Sequence, residues 1–320
     1  MLILSHADVK ALLPMIECIA VIEEAMRALS RGEYFQPLRM KALPQNASNR
    51  MVFMPALRQT GHKLWALKEI VVTPGNSARG LDSHQGAVLL HDGDTGELLA
   101  AVHAGAITSI RTAATSAVAT RALARKNSNR VAILGTGVQG RAHLEAMRCI
   151  LPGASFRIWS HTFSNAEAAA NSPDAVAATT IEEACDGADI ICAVTAASEP
   201  ILRVGTIPRG CHVNAVGSSI AATRELEGSA MAAGTLFVDR RESTVTESGD
   251  YLLALKEGAI GPNHIRVELG DVLLGRHPGR TSADEITIYK SLGLATQDLA
   301  AAEFVVRQAK ERHIGVETDF

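Results

Sequence analysis

The chain has 320 residues, 47% of them hydrophobic, 20% charged and 4% aromatic, with a formal net charge of -3. The length exceeds what one core serves, so two domains are expected, and a balance rich in Ala, Val, Leu and Ile excludes disorder and suits α/β packing. The charge excludes a nucleic-acid partner, which needs a basic face, yet two or three local cations can still hold a small anionic substrate.

Cys18, Cys149, Cys185, Cys192 and Cys211 are odd in number and lack zinc-site spacing, so unbridged thiols in a reducing compartment are expected. MLILSHADVK has no basic segment followed by a long apolar run, and no apolar stretch reaches about 20 residues. The expectation is a cytoplasmic protein with no membrane partner.

In chain order, Leu2–Leu4 reads as a strand and Ser5 as a helix N-cap with Asp8 three residues on. Met15–Ser30 reads as a helix with Ile16, Ile19, Ala20, Ile22 and Met26 on one face, and Gly32 as its stop. Between 37 and 99, short strands (Met51–Met54, Leu64–Val72, Ala87–His91) alternate with turns, and HDGDTGEL reads as a hairpin loop. This is an α+β lobe of mainly antiparallel strands. SIRTAATSAVATRALAR follows as an Ala-rich helix, and then strands alternate with helices: Val131–Leu134, Phe156–Trp159, Ile190–Val194, His212–Val216 and Leu236–Val238. Such alternation predicts a doubly wound parallel sheet of Rossmann type. From about Ile286 the tail reads as a further long helix. The predicted division is a lobe of residues 1–115, joined by a C-terminal helix at about 300–320, and a dinucleotide-binding domain of residues 116–299.

The strand Val131–Leu134 runs straight into Gly135-Thr136-Gly137-Val138-Gln139-Gly140 and an amphipathic helix. Gly135 permits the tight turn, Gly137 a close approach of backbone to pyrophosphate, and Gly140 close packing of helix on strand, while the helix N-terminus supplies amides to the phosphates. An acidic residue about 20 residues on would bind the ribose 2′-hydroxyl of NAD. Here Ser160, His161 and Thr162 stand in its place, with Arg157 nearby, so NADP(H) is expected over NAD(H). Thr195, after the Ile190–Val194 strand, completes the expected cofactor contacts on that domain. The histidines, among them His84, His91, His103, His143 and His212, are dispersed, so no metal site is expected, and His143 reads as a packing residue. No GxSxG elbow is present. Glu247-Ser248-Gly249-Asp250 reads either as lining the site or as connecting elements.

Pro37-Leu38-Arg39, Lys68, TSIRTAA at Thr108–Ala114, GTGVQGRAH and KSLGLATQDLAAA at Lys290–Ala302 occur in the order found in the ornithine cyclodeaminase/mu-crystallin family, which the chain resembles along nearly its whole length. The resemblance implies a substrate and homodimerisation lobe with an inserted Rossmann domain. It implies chemistry on amino or imino acids, and not which one. It places Arg39 and Arg111 on a substrate carboxylate, to which guanidinium forks are suited. Lys68 is placed as the catalytic residue, binding that carboxylate or polarising the carbon that receives hydride, and two neighbouring arginines should lower its pKa. Thr112 either contacts cofactor phosphates or starts a helix. Ornithine cyclodeaminase carries an Asp that activates the substrate amine at the position of Ser219, and Asp298 matches a family position where packing, capping or function are all open. With the cation set complete and that Asp missing, the expected activity is NAD(P)H-dependent reduction of a small cyclic imino acid. Alternatives are ornithine cyclodeaminase, an amino-acid dehydrogenase acting on an open chain such as alanine, and a non-catalytic ligand-binding protein.

Overall fold

A computed structural model describes residues 1–319, with the side chains of all of these but Ser77 and Ala78. The chain opens with β1 (Leu2–Leu4), α1 (His6–Leu12), α2 (Met15–Ser30), β2 (Tyr34–Phe35) and β3 (Met40–Ala42). Four longer strands follow, β4 (Arg50–Arg58), β5 (Leu64–Val72), β6 (His84–Asp92) and β7 (Leu98–His103), and then helix α3 (Ala104–Leu123). Strand–helix alternation runs through β8 (Arg130–Leu134), α4 (Val138–Ile150), β9 (Ser155–Trp159), α5 (Phe163–Ala169), β10 (Ala175–Ala178), α6 (Ile181–Cys185) and β11 (Ile190–Ala193). It continues with β12 (His212–Ala215), α7 (Gly228–Ala233), β13 (Thr235–Val238), α8 (Arg241–Glu247), α9 (Gly249–Lys256), β14 (Ile265–Glu268), α10 (Leu269–Leu273) and β15 (Thr287–Lys290). Helix α11 (Ala295–Arg312) and β16 (Val316–Glu317) end the chain.

Two compact units result: Met1–Arg111 with the chain from Gly293 onward, and Thr112–Leu292. The divisions fall at 111/112 and 292/293 rather than at 115/116 and 299/300. The first lies inside the unbroken α3, and α11 belongs to the first unit from its first residue.

In the first unit the sheet order is β16-β1-β7-β6-β5-β4-β2, with β3 also on β4. The strands pair antiparallel except β1 with β7. In β5 alternate residues are buried, Leu64, Ala66, Lys68, Ile70 and Val72, so a lysine occupies an apolar position of the pattern. Helix α11 packs on β4, β5, β6 and α2. The capping box of Ser5 and Asp8 starts α1. On α2 the buried face is Met15, Cys18, Ile19, Ile22, Ala25 and Met26, while Ile16 is 54% exposed and Ala20 also faces out, so the apolar stripe is rotated from the one the sequence suggests.

The second unit carries an all-parallel sheet in the order β10-β9-β8-β11-β12-β15-β13-β14, the Rossmann arrangement with its switch point between β8 and β11. Its central strands β11, β12 and β15 are buried at every residue, as both-face coverage by helices requires. The segment from Ile286 is therefore not helical at its start. Thr287–Lys290 is a core strand, and a run this short, TIYK, has no periodicity that separates strand from helix. The five cysteines are free thiols, four of them buried, and among the described residues no helix is long and apolar enough to cross a membrane.

Candidate active site

In the first unit, β5 carries Lys68 into the interior, α3 presents Arg111, and the first turn of α11 presents Gln297 and Asp298. Lys68 is 2% exposed and Asp298 1%, and Nζ lies 2.7 Å from Oδ2. Arg111 Nε donates to Asp298 Oδ1 at 2.9 Å and Nη1 to Gln297 Oε1 at 3.0 Å, which fixes the guanidinium plane. Arg39 Nη2 donates to the Gly293 carbonyl at 3.0 Å. Gly293 has φ +79, and a Cβ there would sit 2.6 Å from Arg111 Nη1, so only glycine lets this guanidinium lie against the turn. Gln36 anchors the segment before Arg39 by accepting from the Thr296 amide at 2.8 Å.

Burial, with Arg111 and Arg39, pushes the Lys68 ammonium down against the pull of Asp298, leaving it at about 8. Burial alone would raise the Asp298 carboxyl, but Arg111 and Lys68 outweigh it and hold it below the ordinary carboxylate range. His84, set aside at the level of sequence, belongs to the same electrostatic group. Burial, Lys68, Arg50 and Arg111 push it down to about 4, so it is neutral at pH 7. Asp298 is the member of this group whose role the sequence leaves open. It is the shared partner of Lys68 and Arg111, and no local pattern announces a contact made across 187 positions.

In the second unit, Gly135 has φ +116 and its amide donates to the Trp159 carbonyl at 2.8 Å, closing the turn at the end of β8. A Cβ on Gly140 would lie 2.0 Å from the Gly135 carbonyl oxygen, while one on Gly137 would meet nothing within 4 Å. Gly140 is thus a packing glycine, and Gly137 faces open space beside the uncapped N-terminus of α4. Those features fit a pyrophosphate. Thr136 Oγ1 donates to Ser160 Oγ at 3.1 Å, Gln139 is half-buried, and Val138, His161 and Thr162 are exposed. Arg157 is engaged elsewhere: its Nη1 donates to the carbonyls of Glu183 and Asp186. Thr195 follows β11, next to β8 in the sheet, and its amide and hydroxyl both donate to Glu225 Oε1 at 2.7 Å. Thr112 is buried on α3, and Ser219 is half-buried beyond β12. His143 is fully buried between the Gln139 carbonyl and the Ser116 hydroxyl, a packing residue.

The sequence profile of the ornithine cyclodeaminase/mu-crystallin family matches residues 1–313. Δ1-pyrroline-2-carboxylate reductase of Bacillus cereus is 33% identical over 100% of both chains. Ketimine reductase mu-crystallin of Mus musculus is 37% identical over 90% of each. The structure of Thermococcus litoralis Δ1-pyrroline-2-carboxylate reductase in complex with NADH and L-proline is similar with a TM-score of 0.95 and 33% identity, over 99% of this chain and 100% of that one.

Proposed function

The chain belongs to the ornithine cyclodeaminase/mu-crystallin family, and from that premise we propose that it is an NAD(P)H-dependent reductase of small cyclic imino acids, converting Δ1-pyrroline-2-carboxylate to L-proline and its six-membered homologue, Δ1-piperideine-2-carboxylate, to L-pipecolate. The observation that carries the reading is the buried set in which Lys68 and Arg111 share the single carboxylate of Asp298, with Arg39 anchored on Gly293. A lysine and two arginines gathered at one site are the complement that a substrate carboxylate selects.

When bound, the dinucleotide supplies the hydride. Arg39 and Arg111 hold the carboxylate, and Asp298 and Gln297 keep Arg111 from rotating. Lys68 retains its proton at neutral pH but holds it less tightly than an exposed lysine, so its Nζ supplies the proton that the imine nitrogen gains as the C=N carbon gains hydride. Ser219 contacts the substrate where the cyclodeaminating enzyme carries its Asp. Lacking a carboxylate there, the chain has no base at that position for ring closure with loss of ammonia. Gly135, Thr136, Gly137, Val138, Gln139, Gly140, Thr112, Ser160, His161, Thr162 and Thr195 form the dinucleotide site. NADP(H) is preferred, a reading supported by the absence of an acidic side chain among Ser160, His161 and Thr162. A homodimer through the first unit is supported by exposed Phe35, Trp65 and Met40. A cytoplasmic location is supported by the free thiols.

The test is oxidation of NADPH and of NADH, followed by absorbance, with both cyclic imino acids. Rapid oxidation with either ring is expected, NADPH being the better donor; no oxidation with either ring would refute the reading.

A further inference from the structure

Lys290, Asp250 and Glu225 are each 0% exposed, and the proposed reaction uses none of them. Lys290, the last residue of β15, donates from Nζ to the Ser218 carbonyl at 2.5 Å and pairs with Asp250 Oδ2 at 2.8 Å. Asp250 Oδ1 accepts from the amides of Glu225 at 2.8 Å and Leu226 at 2.9 Å. Glu225 in turn accepts from Thr195 through Oε1 and from the Gly217 amide through Oε2, the latter at 2.6 Å. One connected set thus reaches from the end of β11, through the turn that follows β12, to α9 and β15.

The turn is gripped from other sides as well. Ser218 Oγ bonds to the Thr223 carbonyl and to Thr223 Oγ1. A Cβ on Gly249 would lie 1.9 Å from the Thr223 carbonyl oxygen, so the start of α9 presses directly on the turn's backbone. A Cβ on Gly217 would lie 2.2 Å from the Thr195 carbonyl oxygen. An apolar cluster of equal volume would hold the sheet together as well as three buried ionisable groups do. What the charged groups add is direction, because each bond fixes a particular backbone atom.

We propose that Lys290, Asp250 and Glu225 are positioning residues that fix the turn at residues 217–224, and with it Ser219 as a substrate contact and Thr195 as a dinucleotide contact. The assignment of those two contacts rests on the function proposed above; the fixing of the turn does not. Glu225 adds a pH response. Its carboxyl is pushed up to about 7 by burial and by Asp250, against Thr195 and Lys290, which draw it down. Asp250 and Lys290 are the charged groups that face it. Because both of its oxygens accept, protonation displaces one donor, either Gly217 or Thr195.

The experiment is backbone amide hydrogen exchange on the full chain with NADPH present, for wild type, Lys290→Met and Glu225→Gln, beside steady-state kinetics on Δ1-pyrroline-2-carboxylate. In Lys290→Met the amides of 217–224 are expected to exchange about tenfold faster while those of β12 keep their protection. Its kcat should fall about 10²-fold, the loss typical of a misplaced contact, with KM and the NADPH Kd little changed. Glu225→Gln should also weaken NADPH binding and remove an acidic limb near pH 7 from kcat/KM. Should Lys290→Met fail to fold, the isosteric Glu225→Gln carries the same exchange reading. Unchanged exchange in the turn, or a rise shared equally by β12, would overturn the proposal. Faster exchange confined to the turn, in a protein whose wild type reduces no imino acid, would uphold the positioning role and refute the reductase.

Discussion

Replacing Asp298 with Asn keeps the shape of the side chain and removes a negative charge that favours the protonated form of Lys68. The Lys68–Asp298 separation is 2.7 Å. At that distance and an effective dielectric of about 20, Coulomb's law gives roughly 6 kcal/mol, equivalent to about four pH units on Lys68. Even if relaxation and water leave a quarter of that, about 1.5 kcal/mol, the ammonium moves by about one unit. Lys68 starts at about 8. In the wild type the group that must donate a proton is charged below that value, so kcat/KM should be lost as pH rises through about 8. In Asp298→Asn the same basic limb should lie between about one and four units lower, with the activity at pH 8 cut by about fivefold or more. The assay is kcat/KM for Δ1-pyrroline-2-carboxylate from pH 5.5 to 9.5, with thermal unfolding to confirm a folded variant. A basic limb that stays at about 8 in Asp298→Asn would show that Lys68 is not the titrating donor, and the reasoning would fail.

Lys68→Met should abolish turnover while keeping NADPH binding. Its folded-state pKa lies below the ordinary 10.5, so the buried ammonium costs about 3 kcal/mol below pH 8, a cost that fades as pH rises toward 10.5. The unfolding midpoint at pH 7 should accordingly hold or rise, and a large fall would contradict this. Gly137→Ala should leave the midpoint unchanged and weaken NADPH binding, whereas Gly140→Ala, aimed at the Gly135 carbonyl, should cost about 1–3 kcal/mol of stability. Calorimetry on the two variants checks the contrast. Ser160→Asp should turn the preference toward NADH by repelling a 2′-phosphate, read as the ratio of kcat/KM for the two donors. A ratio that does not move would place the ribose elsewhere.

The strands and helices whose periodicity is long or whose caps are explicit were legible from the residues alone: Ser5 with Asp8, Met15–Ser30, Leu64–Val72 and the strand–glycine–helix passage at Val131–Gly140. Local chemistry decides those elements. What local chemistry does not decide was lost. Thr287–Lys290 is buried on both faces and too short to display a period. The importance of Asp298 comes from Lys68 and Arg111, which meet it only in three dimensions. The burial of Glu225, Asp250 and Lys290 is not marked by their neighbours in the sequence, although Asp250 stands in a segment read as lining the site or connecting elements and Lys290 opens the family-like KSLGLATQDLAAA. Lys68 is the instructive intermediate case: the alternation of β5 assigns it to the interior face, a signal open to anyone who keeps the lysine in the pattern rather than excusing it.

The place of β15 has a consequence for how the polypeptide is made. This strand is the last of its sheet to be synthesised, yet it lies between β12 and β13, with β14 beyond. A nascent chain emerging N-terminus first therefore reaches β14 with a gap at the heart of the sheet, two strand edges open to pairing with other chains. The first unit waits too, because α11, which covers β4, β5 and β6, comes later still. Neither unit can close before β15 and α11 leave the ribosome, so a ribosome-stalled or prematurely terminated product lacking them should be a ready client for chaperones and a target for proteases.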